Sequence, residues 1–255
     1  GVAFAQAGNF REAMVSYDRA VLLRPNYAEV YSNMSSALKD VGKLKEAITA
    51  YDKSVSLVAD ATETVKSKYA EAYNEIGVDF KLQGDMENAI KAYNKALFYR
   101  PEFAESLSNL GNVLRIQGKL DEAIELYKKS LALKPDYAAG HSDIGNALLD
   151  QGKLDEAIAS HTKALAIEPN YFKAYSNLGN ALLDQGKLEK AIEAYKKSLC
   201  IMPEYAEAAR NLVKLPIGSI DEETILGLNK QFSILVSNIQ DQSQRLFFEA
   251  NLFTH

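Results

Sequence analysis

Apolar residues fall at helical spacing along most of this chain, and the spacing itself recurs. Within 172–205, Tyr175, Leu178 and Leu182 line one face of a first helix; Leu188, Ile192, Tyr195 and Leu199 line one face of a second. The ten residues Gly145 to Leu154 return as Gly179 to Leu188, 34 residues on. Glycines mark the break between the two helices at Gly8, Gly42, Gly84, Gly118, Gly152 and Gly186, at spacings of 34, 42, 34, 34 and 34. The pattern predicts a tandem repeat of helix pairs with one short insertion.

With each break glycine set at position 15, complete units run 28–61, 70–103, 104–137, 138–171 and 172–205. Residues 1–27 are the remainder of an earlier unit and 62–69 are the insertion. Position 8 is Ser35, Gly77, Gly111, Gly145 and Gly179; position 20 is Ala47, Ala89, Ala123, Ala157 and Ala191. Position 24 is Tyr51, Tyr93, Tyr127, His161 and Tyr195; position 27 is Ser54, Ala96, Ser130, Ala164 and Ser198. Small residues at 8, 20 and 27 let two helices approach closely. The break glycine supplies a left-handed backbone after the first helix, and acidic pairs such as Asp121-Glu122 open the second. Pro101, Pro135, Pro169 and Pro203 end it. A single pair cannot bury its apolar face alone, so the units are expected to stack into a solenoid.

The remaining composition narrows the chemistry. At 255 residues, length alone suggests one or two domains, a count the repeat overrides. With 29 Lys+Arg against 34 Asp+Glu the formal charge is −5, which disfavours a general nucleic-acid binder or an anionic-membrane binder. No apolar stretch is long enough for membrane insertion. One cysteine, Cys200, excludes an internal disulfide, and its helical context reads as a buried small hydrophobe. His141 and His161 stand at packing positions; we read them as core histidines, since a metal pair lacks an evident third ligand. No phosphate loop, nucleophile elbow or paired carboxylates in an apolar setting occur, so neither catalysis, cofactor nor metal is expected.

The 34-residue period and these columns resemble the tetratricopeptide repeat, over residues 1 to about 214. The wording from Asn177 to Ile192 is especially similar to bacterial arrays and to the repeat regions of O-linked N-acetylglucosamine transferases. The resemblance implies an all-α, right-handed α-solenoid (a superhelix) of stacked antiparallel pairs. First helices (A) would line a concave groove and second helices (B) would face outward. Family members mostly bind peptides or protein segments there, and some arrays precede a glycosyltransferase or sulfotransferase domain. The chain departs from the pattern at Ala59, which replaces the closing proline, and at 62–69, which either lengthens the flanking helices by about two turns or forms a loop. It also lacks the family's carboxylate clamp.

Positions 5, 6 and 9 of helix A are expected in the groove. They give Asn33, Asn74, and then Ser108/Asn109/Asn112, Ser142/Asp143/Asn146 and Ser176/Asn177/Asn180. Carboxamides donate and accept, so a row of them suits an extended peptide main chain; the transferase repeats carry a similar ladder. The plainer reading is a polar, solvated face. Asp40, Asp150 and Asp184 at position 13 form either a negative rim for basic segments or solvated surface.

After a last A helix at 206–214 the pattern fades. Ser219 with Glu222 and Asp241 with Gln244 read as starts of further helices, so 206–255 is expected to be a partial repeat and a divergent helical cap. Both ends look cut within helices, which suggests a fragment of a longer protein. The expected function is a protein-interaction scaffold, cytoplasmic, with a protein or peptide partner. The alternatives are a recruiting arm of a larger enzyme and self-assembly, including a homo-oligomer through the terminal helices.

Overall fold

The computed structural model describes residues 1–58 and 61–215. Among these the chain forms α-helices and no strand. It divides into two compact units, Gly1–Leu133 and Lys134 onward. The first holds α1 (Val2–Gln6), α2 (Phe10–Leu23), α3 (Ala28–Asp40), α4 (Leu44–Ser56), α5 (Glu63–Leu82), α6 (Met86–Tyr99), α7 (Ala104–Ile116) and α8 (Leu120–Leu133). The second holds α9 (Ala138–Asp150), α10 (Leu154–Ile167), α11 (Phe172–Asp184), α12 (Leu188–Ile201) and α13 (Ala206–Val213). Odd-numbered helices are A helices and even-numbered ones are B. Each A packs on its own B, each B on the next A within the unit, and α5 on α7, α9 on α11 and α11 on α13. This is the stacked-pair solenoid the periodicity predicts. The expected cap helices beyond 215, and Ala59, lie outside the described residues.

Each repeated column has a packing reason. The A helix ends in a two-bond left-handed closure: Gly186 has φ +77°, its N–H bonds Leu183 O at 2.8 Å, and Lys187 N–H bonds Leu182 O at 2.8 Å. Position 20 is wholly buried in every repeat, from Ala47 to Ala191. At position 27 the residue is small, and where it is serine its hydroxyl also ties B to the start of A. Ser54 Oγ donates to Ala28 O, Ser130 Oγ to Ala104 O and Ser198 Oγ to Phe172 O, each at 2.8 Å.

In the four complete repeats with glycine at position 8, the reason is position 24. A Cβ on Gly77, Gly111 or Gly179 would lie 2.5–2.6 Å from the ring of Tyr93, Tyr127 or Tyr195. On Gly145 it would lie 2.6 Å from His161. The ring therefore rests on bare backbone, which brings the two helices of a pair together. Where Ser35 stands instead, Tyr51 packs edge-on to Tyr69 and Tyr73, with centroids 6.0 and 5.0 Å away.

The insertion lengthens a helix. Thr62 Oγ1 caps the start of α5 through Val65 N–H at 3.4 Å, so α5 has 20 residues against 13 in α3 and α7. The seven extra residues are about two turns. They bring Tyr69 onto Tyr99 (5.5 Å) and Ser67 onto Arg100 (2.9 Å).

One reading is corrected. Cys200, expected to be buried, is exposed. Position 29 of the B helix points away from the stack: Leu22 and Phe98, at the same position, are 79% and 77% exposed. The adjacent position 28, Leu199, is the buried one.

Two outcomes are expected from this packing. Gly179→Ala should cost about 1–3 kcal/mol in chemical denaturation, because the Tyr195 ring must shift in a full core. Gly179→Ala combined with Tyr195→Leu should recover part of that loss. Burial lowers the His161 pKa to about 4. The unfolded chain binds that proton near pH 6.5 and the folded one does not. The group's penalty is thus absent above pH 6.5 and grows as pH falls towards 4, to about 3 kcal/mol. The unfolding midpoint of His161→Tyr should therefore fall less than that of the wild type over this interval.

Candidate functional site on the A helices

The first turns of each A helix place positions 5, 6 and 9 on neighbouring faces, and the structure separates them. Ser108, Ser142 and Ser176 at position 5 are 3%, 2% and 0% exposed. Ser108 Oγ donates to Ser130 Oγ on α8 at 3.0 Å, and Ser142 Oγ meets His161 Nδ1 on α10 at 3.3 Å. Ser108 and Ser142 thus face their own B helix and Ser176 is buried without a partner, since position 5 sits one turn before the glycine at position 8; the larger Asn74, at the same position of α5, stays half-buried. The carboxamide and carboxylate positions remain accessible: Asn33, Asn74, Asn109 and Asn112 in the first unit, and Asp143, Asn146, Asn177 and Asn180 in the second, are all half-buried.

Two of the three asparagines at position 9, Asn112 and Asn180, are held from behind. Tyr127 Oη donates to Asn112 Oδ1 at 2.9 Å, and Tyr195 Oη donates to Asn180 Oδ1 at 2.7 Å. Burial raises the Tyr195 phenol to about 12, with the charges of Asp184 and Glu207 adding to it, so it remains a donor at neutral pH. Because the phenol donates to the carbonyl oxygen of each amide, the NH2 group keeps its two donors for another acceptor. The ring that packs on glycine therefore also sets the orientation of the surface amide.

Neighbouring A helices are linked by amide pairs. Asn109 Nδ2 donates to Asn74 Oδ1 at 3.1 Å in the first unit. In the second, Asn211 Nδ2 donates to Asn180 Oδ1 at 2.8 Å. Asn211 is absent from the candidates read from sequence, although it occupies position 6 of the final A helix, 206–214, and the column could have supplied it. It lies in an open groove of about 650 Å³ that Asn180, Asp184, Tyr195, Glu207 and Arg210 also line.

Two repeats break the rule. His161 lacks the phenol oxygen and bonds Ser142 instead, and its Nε2 is buried without a protein partner. Asn146 is therefore not pinned by a phenol. In α5 position 9 is Val78, and the Tyr93 hydroxyl is buried with no partner. His141 Nε2 meets Pro135 O at 3.1 Å, so both histidines serve the packing. Among the described residues no three His, Cys, Asp or Glu side chains converge as metal ligands, and no helix is long and apolar enough to cross a membrane. Position 13 is exposed in both units, as Asp40 in the first and as Asp150 and Asp184 in the second. On α5 and α7 it is apolar instead: Leu82 and Ile116.

Known families match this pattern along the chain. Tetratricopeptide repeat models match residues 26–97 and 172–205, and a TPR repeat model matches 111–152 and 145–186. No curated protein matches the chain in sequence. Among solved structures, YrrB, described as a TPR protein with an unusual peptide-binding site, is 24% identical at a TM-score of 0.57, covering 77% of this chain and 97% of its own. A thermophilic TPR protein of Thermus thermophilus is 20% identical at 0.60, covering 72% and 98%. PilF of Pseudomonas aeruginosa is 22% identical at 0.60, covering 73% and 84%. Those likenesses are of fold, and they agree with the helix pairing, the glycine closures and the matched repeats: the chain belongs to the tetratricopeptide repeat family, whose members generally mediate protein–protein interaction.

Proposed function

We propose that the A-helix faces bind an extended segment of a partner protein and hold its main chain through their carboxamides. The observation that carries this reading is the pinned amide: Tyr195 and Asn211 both donate to Asn180 Oδ1, and Tyr127 donates to Asn112 Oδ1. An amide whose oxygen is already engaged offers N–H donors in a set direction. An extended peptide presents carbonyl oxygens at regular intervals, and such donors suit it whatever its side chains. The role falls to Asn33, Asn74, Asn109 and Asn112 in the first unit, and to Asn146, Asn177, Asn180 and Asn211 in the second, with the Asp143 carboxylate accepting from main-chain N–H groups instead. The three serines at position 5 are assigned to packing. A peptide-binding site is also described for YrrB, which has a similar fold.

The test must spare the core. Asn112→Ala or Asn180→Ala would strip a buried phenol of its acceptor, at about 1–3 kcal/mol of stability. Asn146→Ala with Asn177→Ala, and Asn74→Ala with Asn109→Ala, avoid that. Partners retained from source lysate by the wild type and lost by these variants would be identified by mass spectrometry, and their affinities then measured. Each lost hydrogen bond should cost about 0.5–1.5 kcal/mol, so a double variant should bind about tenfold more weakly with unchanged far-UV circular dichroism. Equal affinity of wild type and both double variants for a verified partner overturns the assignment.

A further inference from the structure

The first unit carries a cluster that the carboxamide rows do not account for. Lys39 Nζ at the end of α3 donates to Glu75 Oε2 on α5 at 2.8 Å. Burial works against this ammonium, yet the hydrogen bond and charge of Glu75, then the charges of Asp79 and Asp40, hold its pKa above the usual lysine value. Asp40 is next to Lys39 on α3 and Asp79 lies one turn beyond Glu75 on α5, so three carboxylates stand around one ammonium with two negative charges in excess. Asp79 is half-buried, and that burial pushes its carboxyl up, Lys39 lowering it and Glu75 and Asp40 adding to the rise. A cluster of this kind favours a further cation.

Tyr93 is the second, independent observation. Its side chain is 0% exposed and its hydroxyl has no partner. Its ring lies on Gly77 as Tyr127 lies on Gly111 and Tyr195 on Gly179. In those two repeats the hydroxyl emerges on the A-helix face at the position 9 amide. Here Val78 takes that place, and the next residue is Asp79, whose charge adds to burial in raising the phenol. A buried, unpaired hydroxyl is costly to keep, and the position 9 place its counterparts reach lies, on α5, between Glu75 one turn before and Asp79 next to it. Beside them the face turns apolar: Leu82, one turn beyond Asp79 on α5, is 76% exposed, where α3 has Asp40.

We propose that this face of α3 and α5 receives an arginine side chain of the bound partner segment, its guanidinium among Asp40, Glu75 and Asp79 with the Tyr93 hydroxyl beneath. Guanidinium is the cation that fits. It is planar, always charged, and carries five N–H donors for several acceptors at once. As the side chains that cover it move aside, the phenol oxygen accepts from one of those N–H groups and its O–H donates to Asp79. The methylene stem covers Leu82 while the head stays with the charges. The proposal rests on the peptide reading above and adds to it a side-chain preference in the first unit.

Fluorescence anisotropy tests it, using a labelled ten-residue Ser/Ala peptide, blocked at both ends, with one central arginine. The control carries citrulline, which keeps the shape and loses the charge. At low salt the arginine peptide should bind about tenfold more tightly than the citrulline peptide. Asp40→Asn with Asp79→Asn should reduce that advantage to about twofold or less. Tyr93→Phe should lower arginine affinity about threefold while the unfolding midpoint holds or rises, since deleting an unpaired buried hydroxyl leaves the fold intact. Asn74→Ala with Asn109→Ala should weaken both peptides alike. Equal binding of the two peptides, no detectable binding of the arginine peptide, or an undiminished advantage in the Asp variant overturns the proposal. Undiminished binding by the Asn variant, with the arginine preference intact, overturns the main-chain reading and leaves the acidic site standing.

Discussion

A ring resting on a glycine is the contact on which the rest of this protein depends. In four repeats the aromatic residue of helix B lies where a Cβ of helix A would otherwise be, at 2.5–2.6 Å. No larger residue fits without moving the ring, so the spacing of the two helices is set by bare backbone against a flat side chain. The other columns follow from that spacing. Alanine at position 20 has no accessible surface, and serine at position 27 comes close enough to hydrogen-bond the first turn of A. The glycine closure of Gly186 then returns the chain for the next contact.

The same ring connects packing to surface chemistry. A tyrosine in this place is long enough to cross the helix pair, and its hydroxyl emerges against the position 9 amide. Replacing the tyrosine with histidine keeps the packing and loses the reach, which is why Asn146 differs from Asn112 and Asn180 in its support. Replacing the asparagine with valine keeps the tyrosine and loses the acceptor, which leaves Tyr93 unpaired. Residues on two different helices thus decide together whether a repeat offers an oriented donor, a loose amide or a buried hydroxyl beside carboxylates.

The first unit departs most from regularity, and its departures cluster. The longer α5 brings Tyr69 against Tyr51 and Tyr99, beside Tyr73, and Asp52 takes both the Tyr73 hydroxyl (2.6 Å) and the Lys95 ammonium. Burial, with the hydrogen bond from Tyr73 to Asp52 and the Asp52 charge, drives the Tyr73 phenol far up, so this group is a fixed donor. Arg100, set just before the proline, lies 3.5 Å over the Phe103 ring and bonds Ser67 of the added turns. The insertion thereby acquires a packed interface of its own rather than forming a loop.

The sequence alone determined the period, the helix pairs, the break glycines and the small-residue columns. Each of these is a local or one-residue requirement that recurs at fixed spacing, so the evidence accumulates from repeat to repeat. The sequence also separated the polar side of helix A from the apolar one. It did not distinguish Ser108, Ser142 and Ser176 at position 5 from the residues at positions 6 and 9, because serine is small enough to be core or surface, and only packing against the stack decided for core. It misplaced Cys200 because neighbouring apolar residues on a helix do not share a face, and only the stack fixes which side is covered. It left 62–69 open because a polar segment without glycine or proline suits either helix or loop until neighbours such as Tyr99 and Arg100 supply contacts. The pinned amides, the unpaired Tyr93 hydroxyl and the pairing of Lys39 with Glu75 beside Asp40 and Asp79 belong to the tertiary structure alone, since each depends on side chains from different helices whose distances no spacing rule specifies.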